Sequence, residues 1–205
     1  ISIPVNVFRG FGHVGEDIGY LFAVLGGDDP GKVLWAPEVF DKAKEFGLVL
    51  LEDGTLVDTT NGETIPAGIR PMERTSEAQV RSHRVMTVDE MMDCVSLVGE
   101  QDGYRGSSLT HGVTGVDELA IIGAANDAEG VPAGKIAWPH GFHLRRLDVQ
   151  PACGLPFYAR EEEEVVYLHR GKLCFQWEHG ELLLEEGDVL TVPIKLMHGF
   201  VNAGT

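Results

Sequence analysis

Short apolar runs, most of them alternating with polar positions, dominate the last third of the chain. They cover Phe142 to Val149, Glu164 to His169, Lys172 to Trp177, Glu181 to Leu184, Val189 to Pro193 and Leu196 to Val201. Glycine or acidic turns separate most of them, and a period of two marks half-buried strands rather than helices. The expectation is an antiparallel β-barrel over 135–205.

Earlier stretches follow other patterns. Ala36 to Phe46 reads as a short amphipathic helix, with Pro37 near its start and Gly47 at its end. Leu48 to Ala67 holds aliphatic pieces broken by Asp53-Gly54 and Asn61-Gly62 turns, and Gly68 to Arg84 is polar enough for a linker and a boundary. Thr87 to Val95 predicts a short helix with Thr87 as N-cap, Glu90 three residues on, and Met91 and Met92 in the core. Gly103 to Gly134 is rich in small residues and predicts no role.

The two ends of the chain repeat. Ile1 to Glu16 aligns without gaps to Leu190 to Thr205, with Pro4, Gly10, Phe11 and Gly15 recurring as Pro193, Gly199, Phe200 and Gly204. Recurrence at a fixed offset is the trace of a duplicated unit. The expected organisation is therefore terminal strands of a first, degenerate unit over 1–27, a connecting region over 28–134, and a second unit over 135–205. Ile18 to Gly26 reads as a further buried strand, without a counterpart after Thr205.

Composition narrows the partners. With 26 Gly and 10 Pro, tight turns outnumber long helices, and the net charge of -16 repels phosphate backbones and anionic membrane surfaces. No nucleic acid and no membrane is expected. Cys94, Cys153 and Cys174 form no metal-type or disulfide spacing, and no apolar run is long enough to span a bilayer, so a reducing cytoplasm is the expected location. Exposed strand edges predict a homo- or hetero-oligomer.

The chemistry concentrates in two segments. Gly187, Pro193, His198 and Asn202 stand at the intervals of the second cupin motif, G(x)5PxG(x)2H(x)3N, with Lys195 in place of its middle Gly. Glu164 and Gly171 close the first motif, HxH(x)3E(x)6G, whose two His positions hold Tyr158 and Arg160. The chain thus resembles the cupin superfamily. The fold implied is mainly β, a double-stranded β-helix or jelly-roll barrel with a few short helices, as part of a bicupin.

Among bicupins the resemblance is to ring-cleaving aromatic dioxygenases of the homogentisate, gentisate and hydroquinone types. It implies a non-haem Fe(II) centre acting on a dihydroxylated aromatic substrate and O2. The family's His, Glu and distant His ligands fall on Tyr158, Glu164 and His198, with Glu164 and His198 the metal ligands by type. The third ligand stays open between Tyr158 and the upstream His140 and His143. Tyr158 and Arg160 are the candidate catalytic residues, Arg160 for an anionic substrate oxygen. In the first repeat Arg9 and His13 take the positions of His198 and Asn202, and an Arg cannot ligate a metal. Two other functions fit the same barrel: a metal-free structural or small-ligand-binding subunit, and a metal-dependent isomerase or lyase.

Overall fold

Lys172 to Trp177 and Gly180 to Glu185 lie antiparallel with Trp177 opposite Gly180, and this hairpin is one edge of the largest sheet in the molecule. The structure is a computed structural model that describes residues 1–27, 33–100 and 106–204. It is mainly β with a few short helices. Contacts divide the chain into two units, Ile3–Met91 and a second that joins Ile1–Ser2 to Met92–Thr205.

The first unit holds helix α1 (Pro37–Glu45), strands β1 (Leu48–Leu50) and β2 (Leu56–Asp58) and helix α2 (Glu77–Arg81). Pro37 starts α1 and Gly47 follows it at φ 69°, as the sequence predicts. β1 and β2 pair as a hairpin whose turn uses Gly54 at φ 88°. The stretch read as a linker instead carries α2, held by a capping box between Ser76 and Gln79. Residues 1–27 carry no strand, so the ladder expected there is not formed.

Helix α3 (Val88–Asp93) straddles the division. Its start is the expected one, with Glu90 N–H donating to Thr87 Oγ1 at 3.2 Å and Thr87 N–H to the Glu90 carboxylate at 2.8 Å. Met92, expected in the core, is exposed, and Cys94 just beyond the helix is the buried residue there. Met91, the other methionine expected in the core, is half-buried, and no residue of the helix itself is fully buried.

The second unit adds β3 (Val116–Ile122), β4 (Leu144–Val149), β5 (Gly154–Tyr158), β6 (Glu164–Tyr167), β7 (Lys172–Trp177), β8 (Gly180–Glu185), β9 (Val189–Val192) and β10 (His198–Asn202). Thus 103–134, which predicts no role, supplies β3, and β3 pairs antiparallel with β4. The boundaries expected at 27 and 134 do not coincide with the observed division.

From β5 onward the pairing is nested. β5 pairs with β10, β6 with β9 and β7 with β8, while β10 also pairs with β7. Two sheets result, ordered β5-β10-β7-β8 and β6-β9. They share one apolar core: Leu155, Phe175 and Phe200 from the larger sheet and Val192 from the smaller are each 5% exposed or less. The expected closed barrel is not formed among the described residues, because neither sheet hydrogen-bonds to the other.

Candidate functional site

Strand alternation aims the site. On β6 Glu164 and Val166 face inward and Val165 is exposed; on β5 Tyr158 packs on the core and Phe157 is exposed. His198 opens β10, opposite Tyr158 on one side and Trp177 on the other. It is 1% exposed. Tyr158, Phe175 and Phe200 all lie against its ring, at centroid separations of 4.3, 5.4 and 5.4 Å.

His198 Nδ1 lies 2.8 Å from the carbonyl of Leu196. A carbonyl only accepts, so Nδ1 carries the proton and Nε2 is the nitrogen that points onward. Nε2 stands 3.2 Å from Glu164 Oε2. The approach lacks hydrogen-bond alignment, and neither atom has a hydrogen-bond partner elsewhere. Two lone-pair atoms, buried and facing at this distance, repel unless a proton or a cation lies between them.

The other carboxylate oxygen is fully engaged. Glu164 Oε1 accepts from Arg160 Nε at 2.9 Å and from the Tyr158 hydroxyl at 3.2 Å. Arg160 Nη1 meanwhile donates to Glu129 Oε2 at 2.9 Å. Burial works against the Arg160 charge, but Glu129 and Glu164 outweigh it and hold the guanidinium above its ordinary range. Hydrogen bonding from Arg160 keeps Glu129 below the usual carboxylate range. Burial first, and the Glu164 charge second, push the Tyr158 phenol upward.

Of the residues singled out from the sequence, Tyr158, Arg160, Glu164 and His198 come together. His140 and His143 do not join them. His140 bonds Ser2 Oγ and the Trp138 carbonyl, and His143 packs where a side chain on Gly123 would otherwise sit. Arg160, the candidate for a substrate oxygen, pairs with two carboxylates, Glu129 and Glu164. Asn202 ties β10 to β4, with Nδ2 donating to the Val149 carbonyl at 2.7 Å. Glu129 and Arg145 carried no spacing signal, and the fold alone brings them here.

A metal can be tested against these donors. Two ligands of one ion, each about 2.1 Å from it and about 90–109° apart, stand about 3.0–3.4 Å from each other. The 3.2 Å between Nε2 and Oε2 fits. A carbonyl on the second nitrogen is also the partner that metal-bound imidazoles usually have. The 2-His-1-carboxylate face does not fit, since no second His joins these donors and the neighbouring Tyr158 phenol donates to Oε1 instead. Among the described residues no group of three or more His, Cys, Asp or Glu is placed to hold a metal. Nor is any helix among them long and apolar enough to cross a membrane. No protein-family model and no curated protein matches the chain.

Proposed function

We propose that the second unit is a cupin jelly roll, part of a bicupin, and that it works as a non-haem Fe(II) ring-cleaving dioxygenase on a dihydroxylated aromatic compound, with His198 and Glu164 as its two protein ligands. The nested pairing of β5 with β10, β6 with β9 and β7 with β8 supports the fold, since a long hairpin wrapped into two layers pairs its strands in that order. The facing of Nε2 and Oε2 across 3.2 Å, with no hydrogen-bond partner for either, carries the metal. The spacing of Glu164, Gly171, Gly187, Pro193, His198 and Asn202 carries the resemblance to the dioxygenases.

When bound, ferrous iron would supply a centre at which ring and oxygen meet and exchange electrons. The chain's own residues prepare that place. The Leu196 carbonyl fixes the imidazole, Arg160 and Tyr158 hold Oε1 so that Oε2 is left for the ion, and Phe175, Phe200 and Val192 keep water from the inner side. Two protein ligands leave several positions for substrate and oxygen.

Anaerobic reconstitution with ferrous iron tests the proposal, followed by metal analysis and oxygen uptake with hydroquinones and their acids. Near-stoichiometric iron, lost in His198→Ala and Glu164→Gln, is expected. A wild-type chain that takes up no iron overturns it.

One observation favours a second reading, a metal-free small-ligand cupin. Arg160 already balances the Glu164 charge at 2.9 Å. Binding of an aromatic acid by iron-free protein, undiminished in Glu164→Gln, would select that reading. Assembly into an oligomer belongs to the same proposal and is supported by edge strand β8, where Leu182 and Leu183 are exposed. Sedimentation at several concentrations measures it.

A further inference from the structure

Five charged side chains of alternating sign run from β3 to the site. Buried Glu118 accepts from Ser107, from Thr110 at 2.9 Å and from Arg145 Nη1 at 3.0 Å. Arg145 Nη2 reaches Glu129 Oε2 at 3.6 Å, Glu129 holds Arg160 Nη1 at 2.9 Å, and Arg160 Nε holds Glu164 at 2.9 Å. Glu129 is the middle member, and both guanidinium groups touch the same one of its oxygens.

The backbone under Glu129 is firmly held. It ends a short turn, Asp127–Glu129, closed by Gly130 at φ 60°. Ser108 N–H donates to the Glu129 carbonyl at 2.6 Å, and Asn126 and Val131 exchange two backbone bonds, at 2.9 and 3.0 Å, around the turn. Val131 is buried, which anchors the turn beside the second unit's interior.

A guanidinium tends to close a planar fork over both oxygens of a carboxylate. Arg160 does not. Its Nε meets Oε1 alone, while Nη1, in the same plane, is pinned by Glu129. Released from Glu129, the fork would be free to turn onto Oε1 and Oε2 together, and the oxygen that faces His198 would be lost to it.

We infer that Glu129 is a positioning residue: by pinning Arg160 it keeps Oε2 of Glu164 turned to His198. This rests on the reading of Glu164 and His198 as the reactive pair and gives the region before β4 a role in that site.

The test uses the full chain with Co(II) as probe, following its ligand-field absorption, in wild type, Glu129→Gln and Glu129→Ala, with crystal structures of the three metal-free proteins. Circular dichroism and thermal unfolding confirm folding. Glu129→Ala is expected to weaken Co(II) about 10-fold, while Glu129→Gln, which keeps an acceptor for Nη1, recovers most of the affinity. In the metal-free Glu129→Ala crystal, Arg160 should contact both Glu164 oxygens. Unchanged Co(II) affinity in Glu129→Ala, or equal losses in both variants that track unfolding temperature, overturns the inference. Should the wild type bind no cobalt, the metal reading fails and the crystals decide alone: an unmoved Oε2 in Glu129→Ala then overturns the positioning role, and a captured Oε2 supports it.

Discussion

Lys195 donates its backbone N–H to the carbonyl of Arg160 at 2.7 Å while holding φ at 62°. That is the left-handed region, which glycine enters without a steric cost and other residues do not. Lys195 stands where the second cupin motif has its middle Gly. Lys195 thus takes a backbone path that suits glycine, and His198 follows three residues later.

Lys195→Gly is expected to be more stable than Lys195→Ala by about 1 kcal/mol, the reverse of the usual order of these residues. Both variants lose the exposed Lys195–Glu161 ion pair, so it cancels in the comparison. Urea unfolding of the two measures the difference. Ala equal to or better than Gly would show that the left-handed turn is not under strain.

Gly154→Ala should destabilise the second unit by about 2–3 kcal/mol. A Cβ at 154 would fall 1.9 Å from the Phe200 carbonyl oxygen and 2.8 Å from Val201 Cα, both backbone atoms of β10. The strand next to it carries an irregularity between His198 and Phe200, so its register has little slack. Denaturant unfolding checks this, and a loss below about 0.5 kcal/mol would mean that β5 and β10 separate easily.

Glu118→Ala should cost about 3–5 kcal/mol, because it leaves Arg145 partly buried with its nearest carboxylate removed. Glu118→Gln keeps an acceptor for Ser107 and Thr110 and should cost less. Thermal unfolding of the pair, read at one pH, separates charge from hydrogen bonding.

Tyr158 sets a pH dependence on the alkaline side. Its folded value is raised above the unfolded one, which is near ~10. The native state therefore holds the phenolic proton more tightly; this stabilisation is full below pH ~10 and is lost as pH rises through the folded value. In the folded protein at pH ~10.5, absorbance from ionised tyrosine should be equal in wild type and Tyr158→Phe, and should differ after denaturation. A difference already present in the folded proteins would contradict the shift.

Much of the second unit is legible in the order of its residues. Short apolar runs over Glu164 to Tyr167 and Lys172 to Trp177, set off by a glycine or acidic turn, mark strands, and that signal is written residue by residue. The capping box at Thr87 and the stop at Gly47 are equally local. Their physics spans a few residues, so a short window holds all of it. The spacing of Glu164 and His198 likewise picked out two side chains that the fold places in contact.

Other features depend on contacts between distant parts of the chain. Met92 is exposed while Cys94 just past the helix is buried, and residues 1–16 form no ladder although their repeat partner, 190–205, contributes to β9 and supplies β10. A strand needs neighbours to bond to, and similar residues without them stay unpaired. Glu129 and Arg145 had no motif at all: they lie 31 residues before Arg160 and 27 after Glu118 respectively, and only the packing of β3, β4 and β5 brings their charges together. Sequence by itself determined most strands from β6 onward and the pair Glu164 and His198, but not β3 or β5, and it predicted strands over 1–27 that do not form. Tertiary structure decided what surrounds them, because burial, orientation and the sharing of one arginine between two carboxylates are properties of distances through space.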